Sequence, residues 1–113
     1  MDTAPDDLDL VFAALADPTR RAIVERLTHG DATVNELAEP FAISQQAVSK
    51  HLQVLERARL VSRTRIAQTR PVRLDGDRLE QATGWIERNR RAWADRHDRL
   101  EAHLETLARE GDR

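Results

Sequence analysis

Residues 43–61 read "ISQQAVSKHLQVLERARLV", and the fold turns on how this stretch is disposed. Val48, Leu52 and Leu55 recur at i, i+4 and i+7, the spacing of one apolar helix face. Ser44 stands just before the first turn, where a hydroxyl caps free backbone N–H groups. With the apolar stripe turned inward, Gln45, Gln46, Ser49, Lys50 and Gln53 point outward together. An ordinary solvated face mixes Glu with Lys; this one carries amides, a hydroxyl and a cation. Those groups suit base edges: Gln can bond the N6 and N7 edge of adenine bidentately, and Lys can reach guanine or phosphate. A helix start adds unpaired N–H groups and a dipole that attract phosphate. The pattern is that of a helix that reads a major groove.

The residues before it support this. "TVNELAEPF" at 33–41 opens with Thr33 and, three residues on, Glu36, the signature of a capping box. Val34, Leu37 and Ala38 face inward, and Pro40 is expected to end the helix after barely two turns. The few residues between the two helices force a steep crossing, the geometry of a helix-turn-helix. Farther upstream, "DLDLVFAALA" at 7–16 predicts a short helix with Leu8, Val11, Phe12 and Leu15 on one side. In "DPTRRAIVERLTHG" at 17–30, Asp17 is an N-cap, Pro18 fits the first helical position and Gly30 is a stop.

Downstream, "LVSRTRIAQTRPVRLD" at 60–75 alternates side chains and predicts two short antiparallel strands joined at Ala67–Gln68–Thr69. Pro71 lacks an N–H, so the second strand is expected at an edge or paired on one side. Arg63, Arg65 and Arg70 make a basic hairpin suited to flanking phosphates. The net charge of −2 conceals this. Residues 44–73 hold seven basic side chains and one acid, Glu56, against 11 basic and 19 acidic elsewhere. Screening removes distant charges beyond roughly 8 Å, so a local cationic patch can attract phosphates on an acidic protein. The arginines are read as lacking nearby acids.

The last third, residues 77–109, reads as one long helix. Leu79, Ile86, Trp93, Leu100 and Leu107 are spaced by seven, and Trp85 and Leu104 widen the seam. A chain of 113 residues leaves such a stripe uncovered, which calls for a second protomer. The expected dimer interface is Leu8 and Phe12 together with those five heptad residues. The fold class is mainly α with a small β-hairpin: a single domain over 1–113, with helices and wing at 10–74 and a C-terminal dimerisation helix at 77–109.

Other functions fare poorly. No cysteine is present, the three serines lie in or beside the reading region, and no Gly-rich phosphate loop occurs, so an enzyme is not expected and neither is a cofactor. No apolar run is long enough to span a membrane, and "MDTAPDDLDL" has four aspartates and no basic residue, so a cytoplasmic location is expected. A protein-interaction module without DNA binding is a competing class, which the basic hairpin opposes.

With these residues in view, the sequence resembles the ArsR-type winged-helix transcriptional regulators. The likeness rests on "ALADPTRRAIVERL", "VNELAEPFAISQQAVSKHLQVLERARLV" and the basic hairpin, and covers residues 10–74. The tail "GWIERNRRAWADRHDRLEAHLETL" looks like the last helix of a metal-independent branch. The resemblance implies a homodimer, built from the first and last helices, that binds double-stranded DNA at an inverted repeat and usually represses. An alternative within the fold is a metal-responsive repressor. The family's cysteine site would fall in "NELAEPF", which has no Cys. Asp95 and His97 spell part of another family site, but the positions expected to complete it are Ala108 and Gly111. His97, Glu101 and His103 are the remaining candidate metal ligands on that helix. His51 is read as half-buried and structural or phosphate-contacting, and His29, beside Gly30, as a cation or cap at a helix C-terminus.

Overall fold

The computed structural model describes residues 6–64 and 70–111. Five α-helices and a two-stranded hairpin follow in the order α1 Asp7–Leu15, α2 Pro18–Leu27, α3 Val34–Ala38, α4 Gln45–Arg57, β1 Val61–Arg63, β2 Val72–Leu74 and α5 Gly76–Gly111. This is a winged helix-turn-helix with a long C-terminal helix. The chain divides into two compact units between Ala82 and Thr83.

In the first unit, local chemistry sets the helix boundaries. The Asp17 carboxylate accepts from the Arg20 N–H at 3.0 Å, with Pro18 at the start of α2. At α3, the Thr33 hydroxyl accepts from the Glu36 N–H and the Glu36 carboxylate accepts from the Thr33 N–H, a reciprocal capping box. Ser44 Oγ accepts from the Ala47 N–H at 3.1 Å and starts α4.

Two features qualify what the sequence predicts. Pro40 does not stop the chain's helical path; Glu39–Phe41 continues as a 3-10 turn, and Ala42 then takes a left-handed conformation at φ 53°. Pro is tolerated there because an N–H in a first turn needs no helical partner. The second strand is an edge of the two-stranded sheet, as Pro71 predicts, and its first residue makes one isolated bridge on the other side. Val72 faces β1 in the register Arg63↔Val72, and it also bridges Ala32, with Val72 N–H donating to Ala32 at 2.7 Å and Ala32 N–H donating back at 3.2 Å. Pro71 lies just before the strand, where its missing N–H costs nothing and its carbonyl accepts from Thr64. The described strands are three residues each, and the turn at Ala67–Gln68–Thr69 lies outside the described residues.

The end of α4 closes on a left-handed residue. The Leu60 N–H donates to the Leu55 carbonyl and the Arg59 N–H to the Glu56 carbonyl, a Schellman closure. The residue that turns left-handed there is Arg59, at φ 59°, where glycine is usual. At the end of α2 the expected glycine is found: Gly30 sits at φ 141° and frees the chain to reach Ala32.

The core lies among α1, α2, α3, α4 and the hairpin. Val11, Ile23, Leu37, Val48, Leu52, Leu55, Leu60 and Val72 are all fully buried. No side-chain polar atom buried among the described residues lacks a partner. The first turns of α5 belong to this unit: Arg78 donates to the Asp7 carboxylate at 2.7 Å, and Leu79 packs half-buried on the core. The second unit, residues 83–111, is helix throughout, and none of its described residues is buried.

Candidate nucleic-acid interface

The α4 stripe faces inward, so its polar groups face out. Gln45, Gln46, Lys50 and Gln53 are exposed and Ser49 is half-buried. Together they line a shallow concavity, joined by Val34 from the start of α3. Ser44 is exposed beside it, but its hydroxyl is committed to the helix cap. Among the described residues, no acid lines this surface. Glu36, the acid in the first turn of α3, is turned back onto its own cap, where the Thr33 N–H and hydroxyl hold its carboxyl below the usual range.

Position matters as much as composition, because a reading helix must present its face at a fixed tilt. Arg20, on the first turn of α2, supplies the tie. Its Nε donates to the Ala14 carbonyl at 2.7 Å and its Nη2 to the Ala13 carbonyl at 3.2 Å, near the end of α1. Its Nη1 lies 3.5 Å from His51 Nδ1 on α4, and the Asp17 carboxylate lies 3.9 Å from the same nitrogen. The Asp17 carboxyl is held below its ordinary value, first by the Arg20 N–H and then by the Arg20 and His51 charges. One arginine therefore joins α1, α2 and α4. His51 is half-buried in this cluster, in line with its structural reading. Sequence reasoning missed the role of Arg20, because nothing in spacing announces a side chain that bonds to carbonyls six and seven residues back.

The hairpin needs a correction. Arg63 was expected to stand free of acids, yet its Nε is hydrogen-bonded to the Glu56 carboxylate on α4. The single acid among seven cations is thus spent on this arginine, which helps to brace the hairpin against the helix. Arg70 and Arg73 are exposed. Arg65 lies outside the described residues.

Along α5 the apolar residues are open: Ile86 is 50% exposed, Trp93 66%, Leu100 54% and Leu107 49%. Leu79 departs from them, since it packs on its own chain's core, as do the half-buried Leu8 and Phe12. Trp93 stacks on His97 with ring centroids 5.2 Å apart, and His97 Nε2 lies 3.4 Å from Glu101. His103 and His29 are exposed. Among the described residues, no group of three or more His, Asp or Glu stands close enough to hold a metal ion. No described helix is long and apolar enough to cross a membrane.

This arrangement can be compared with known proteins. A helix-turn-helix domain family matches residues 15–64, from the last residue of α1 to just past β1. The HTH-type transcriptional regulator Rv2034 of Mycobacterium tuberculosis is 60% identical over 53 residues, 47% of this chain and 50% of that protein. The match thus spans half the length of that relative. The transcriptional repressor SdpR of Bacillus subtilis is 38% identical over 76 residues, covering 67% of this chain and 84% of SdpR. Among solved structures, an ArsR-like transcriptional regulator from Rhodococcus sp. RHA1 superposes with a TM-score of 0.79 at 31% identity, over 88% of this chain and 92% of that one. These relatives are transcriptional regulators, not enzymes. The chain belongs to the ArsR family of winged helix-turn-helix transcriptional regulators.

Proposed function

We propose that this chain acts as a homodimeric repressor that binds an inverted-repeat operator in double-stranded DNA. Gln45, Gln46, Ser49, Lys50 and Gln53 read bases in the major groove, with Ser44 at the helix start. Arg63, Arg65 and Arg70 of the hairpin serve the flanking phosphates, Arg63 with its charge partly offset by Glu56. Two copies associate through α5 and α1, by Leu8, Phe12, Ile86, Trp93, Leu100 and Leu107, with Leu79 at the margin. The single observation that carries the reading is the concavity on α4, whose described lining offers amide, hydroxyl and ammonium groups and no acid. The cysteine-free α3 supports the metal-independent branch, and work on DNA implies a cytoplasmic location.

The test is selection of bound sequences from a randomised duplex pool, followed by affinity measurement on selected and scrambled DNA. The selected sites should be two-fold, with half-sites roughly one helical turn, 34–36 Å, apart. Gln46→Ala should lose about 1–3 kcal/mol of discrimination at one position per half-site. A protein that enriches no sequence, or a Gln46→Ala variant with the parent's ratio of specific to scrambled binding, would overturn the assignment of this face.

A further inference from the structure

The reading surface is not made by α4 alone. Among the described residues lining the concavity, five are polar and come from α4, and one is apolar and comes from another helix: Val34, the first residue of α3. Its side chain is half-buried, leaning on the core while keeping one side open to the concavity beside the glutamines. Of its neighbours, Asn35 is exposed but does not line the concavity. Thr33 and Glu36 are bonded to each other in the capping box, and Leu37 and Ala38 are buried.

The chemistry of the two components points to one base pair. Glutamine amides match the N6 and N7 edge of adenine. The partner of adenine presents the major groove's one apolar group, the C5-methyl of thymine, which apolar side chains recognise by contact. A surface that sets Gln45 and Gln46 beside an open valine is complementary to both halves of an A·T pair, or to A·T pairs at adjacent steps.

We propose that Val34 is a specificity-determining residue that recognises the C5-methyl of a thymine in each operator half-site, completing the A·T readout that the glutamines begin. This rests on the base-reading role proposed for α4. It assigns a base contact to the positioning helix of the motif, whose side chains would otherwise be expected to support α4 rather than read DNA.

The experiment removes the methyl from the DNA and the valine from the protein. The probe is the duplex recovered by selection with the wild-type chain, with each thymine replaced in turn by deoxyuridine, which differs only in lacking the methyl. Wild-type protein should bind about fourfold more weakly when one particular thymine is replaced in a single half-site, the worth of one buried methyl group. Val34→Ala, whose Cβ methyl reaches less far than the two methyls it loses, should show a smaller thymine-over-uracil preference at that position while responding normally to Gln46-dependent base changes. Because Val34 also touches the core, Val34→Ser serves as a second variant; it keeps no methyl, so it should reduce the thymine preference, with helix content checked by circular dichroism. The proposal is overturned if no thymine shows a methyl effect in the wild type, or if both variants keep the wild-type thymine-to-uracil ratio. A chain that selects no sequence at all removes the α4 reading and this proposal with it, an outcome distinct from specific binding that ignores the methyl.

Discussion

The two units of this chain use apolar residues in opposite ways. In the winged-helix unit, Val48, Leu52 and Leu55 of α4 meet Ile23, Leu37 and Val72 from other elements, and all six are fully buried. Beyond Ala82, Ile86, Trp93, Leu100, Leu104 and Leu107 belong to a helix whose described residues include none that is buried. Both stretches are amphipathic by sequence. The difference teaches that periodicity states which face wants cover, while supply of cover depends on what else the chain folds against that face. The first unit supplies its own. The second has about half of each large apolar side chain in water, a state that soluble proteins normally relieve by association.

The largest effect should come from breaking that contrast on the open side. Trp93→Ala removes the most exposed of the large apolar residues. If its ring is buried between protomers, truncation costs on the order of 3–5 kcal/mol of association. Size-exclusion chromatography with light scattering should find a dimer in the wild type and a shift toward monomer in the variant. A wild type that stays monomeric at micromolar concentration would sink the dimer.

Next comes the closed side. Leu55→Ala opens a cavity in a fully buried site and should cost about 2–5 kcal/mol. Urea denaturation should show the loss independent of protein concentration, unlike that of Trp93→Ala. Equal concentration dependence for the two variants would erase the distinction between the units.

A smaller and opposite effect is expected at the end of α4. Arg59 holds a left-handed conformation that glycine adopts without cost, so Arg59→Gly should stabilise the protein by about 1 kcal/mol. The gain should appear as a higher denaturation midpoint. A fall in stability would mean that the Arg59 side chain contributes more than its backbone costs.

The smallest effect concerns charge on α5. The Glu87 carboxylate is bonded to Arg90 and to Arg91, which lowers its pKa from 4.5 to about 2, chiefly through the Arg90 hydrogen bond. A depressed carboxyl favours the folded helix when ionised, so its contribution is complete above about pH 4.5 and fades as pH falls toward 2. Helix content followed by circular dichroism should decline over that window in the wild type, and less so in Glu87→Gln. Identical acid profiles would show that these exposed pairs add nothing measurable, as is common on surfaces.

The sequence alone determined the parts of this protein that depend on near neighbours in the chain. Asp17, Thr33 and Ser44 cap helices because their side chains reach N–H groups three residues away, and that reach is written in the spacing. The outward set on α4 was legible for the same reason, since helical period fixes which residues share a face. Tertiary structure decided what joins residues far apart. The Arg20–His51 contact spans 31 positions, and the bridge from Ala32 to Val72 spans forty, so no local pattern carries either. Arg63 found Glu56 seven residues back because the chain folds between them. Val34 reached the α4 concavity because α3 and α4 cross, and only that crossing sets a valine beside glutamines more than ten residues away.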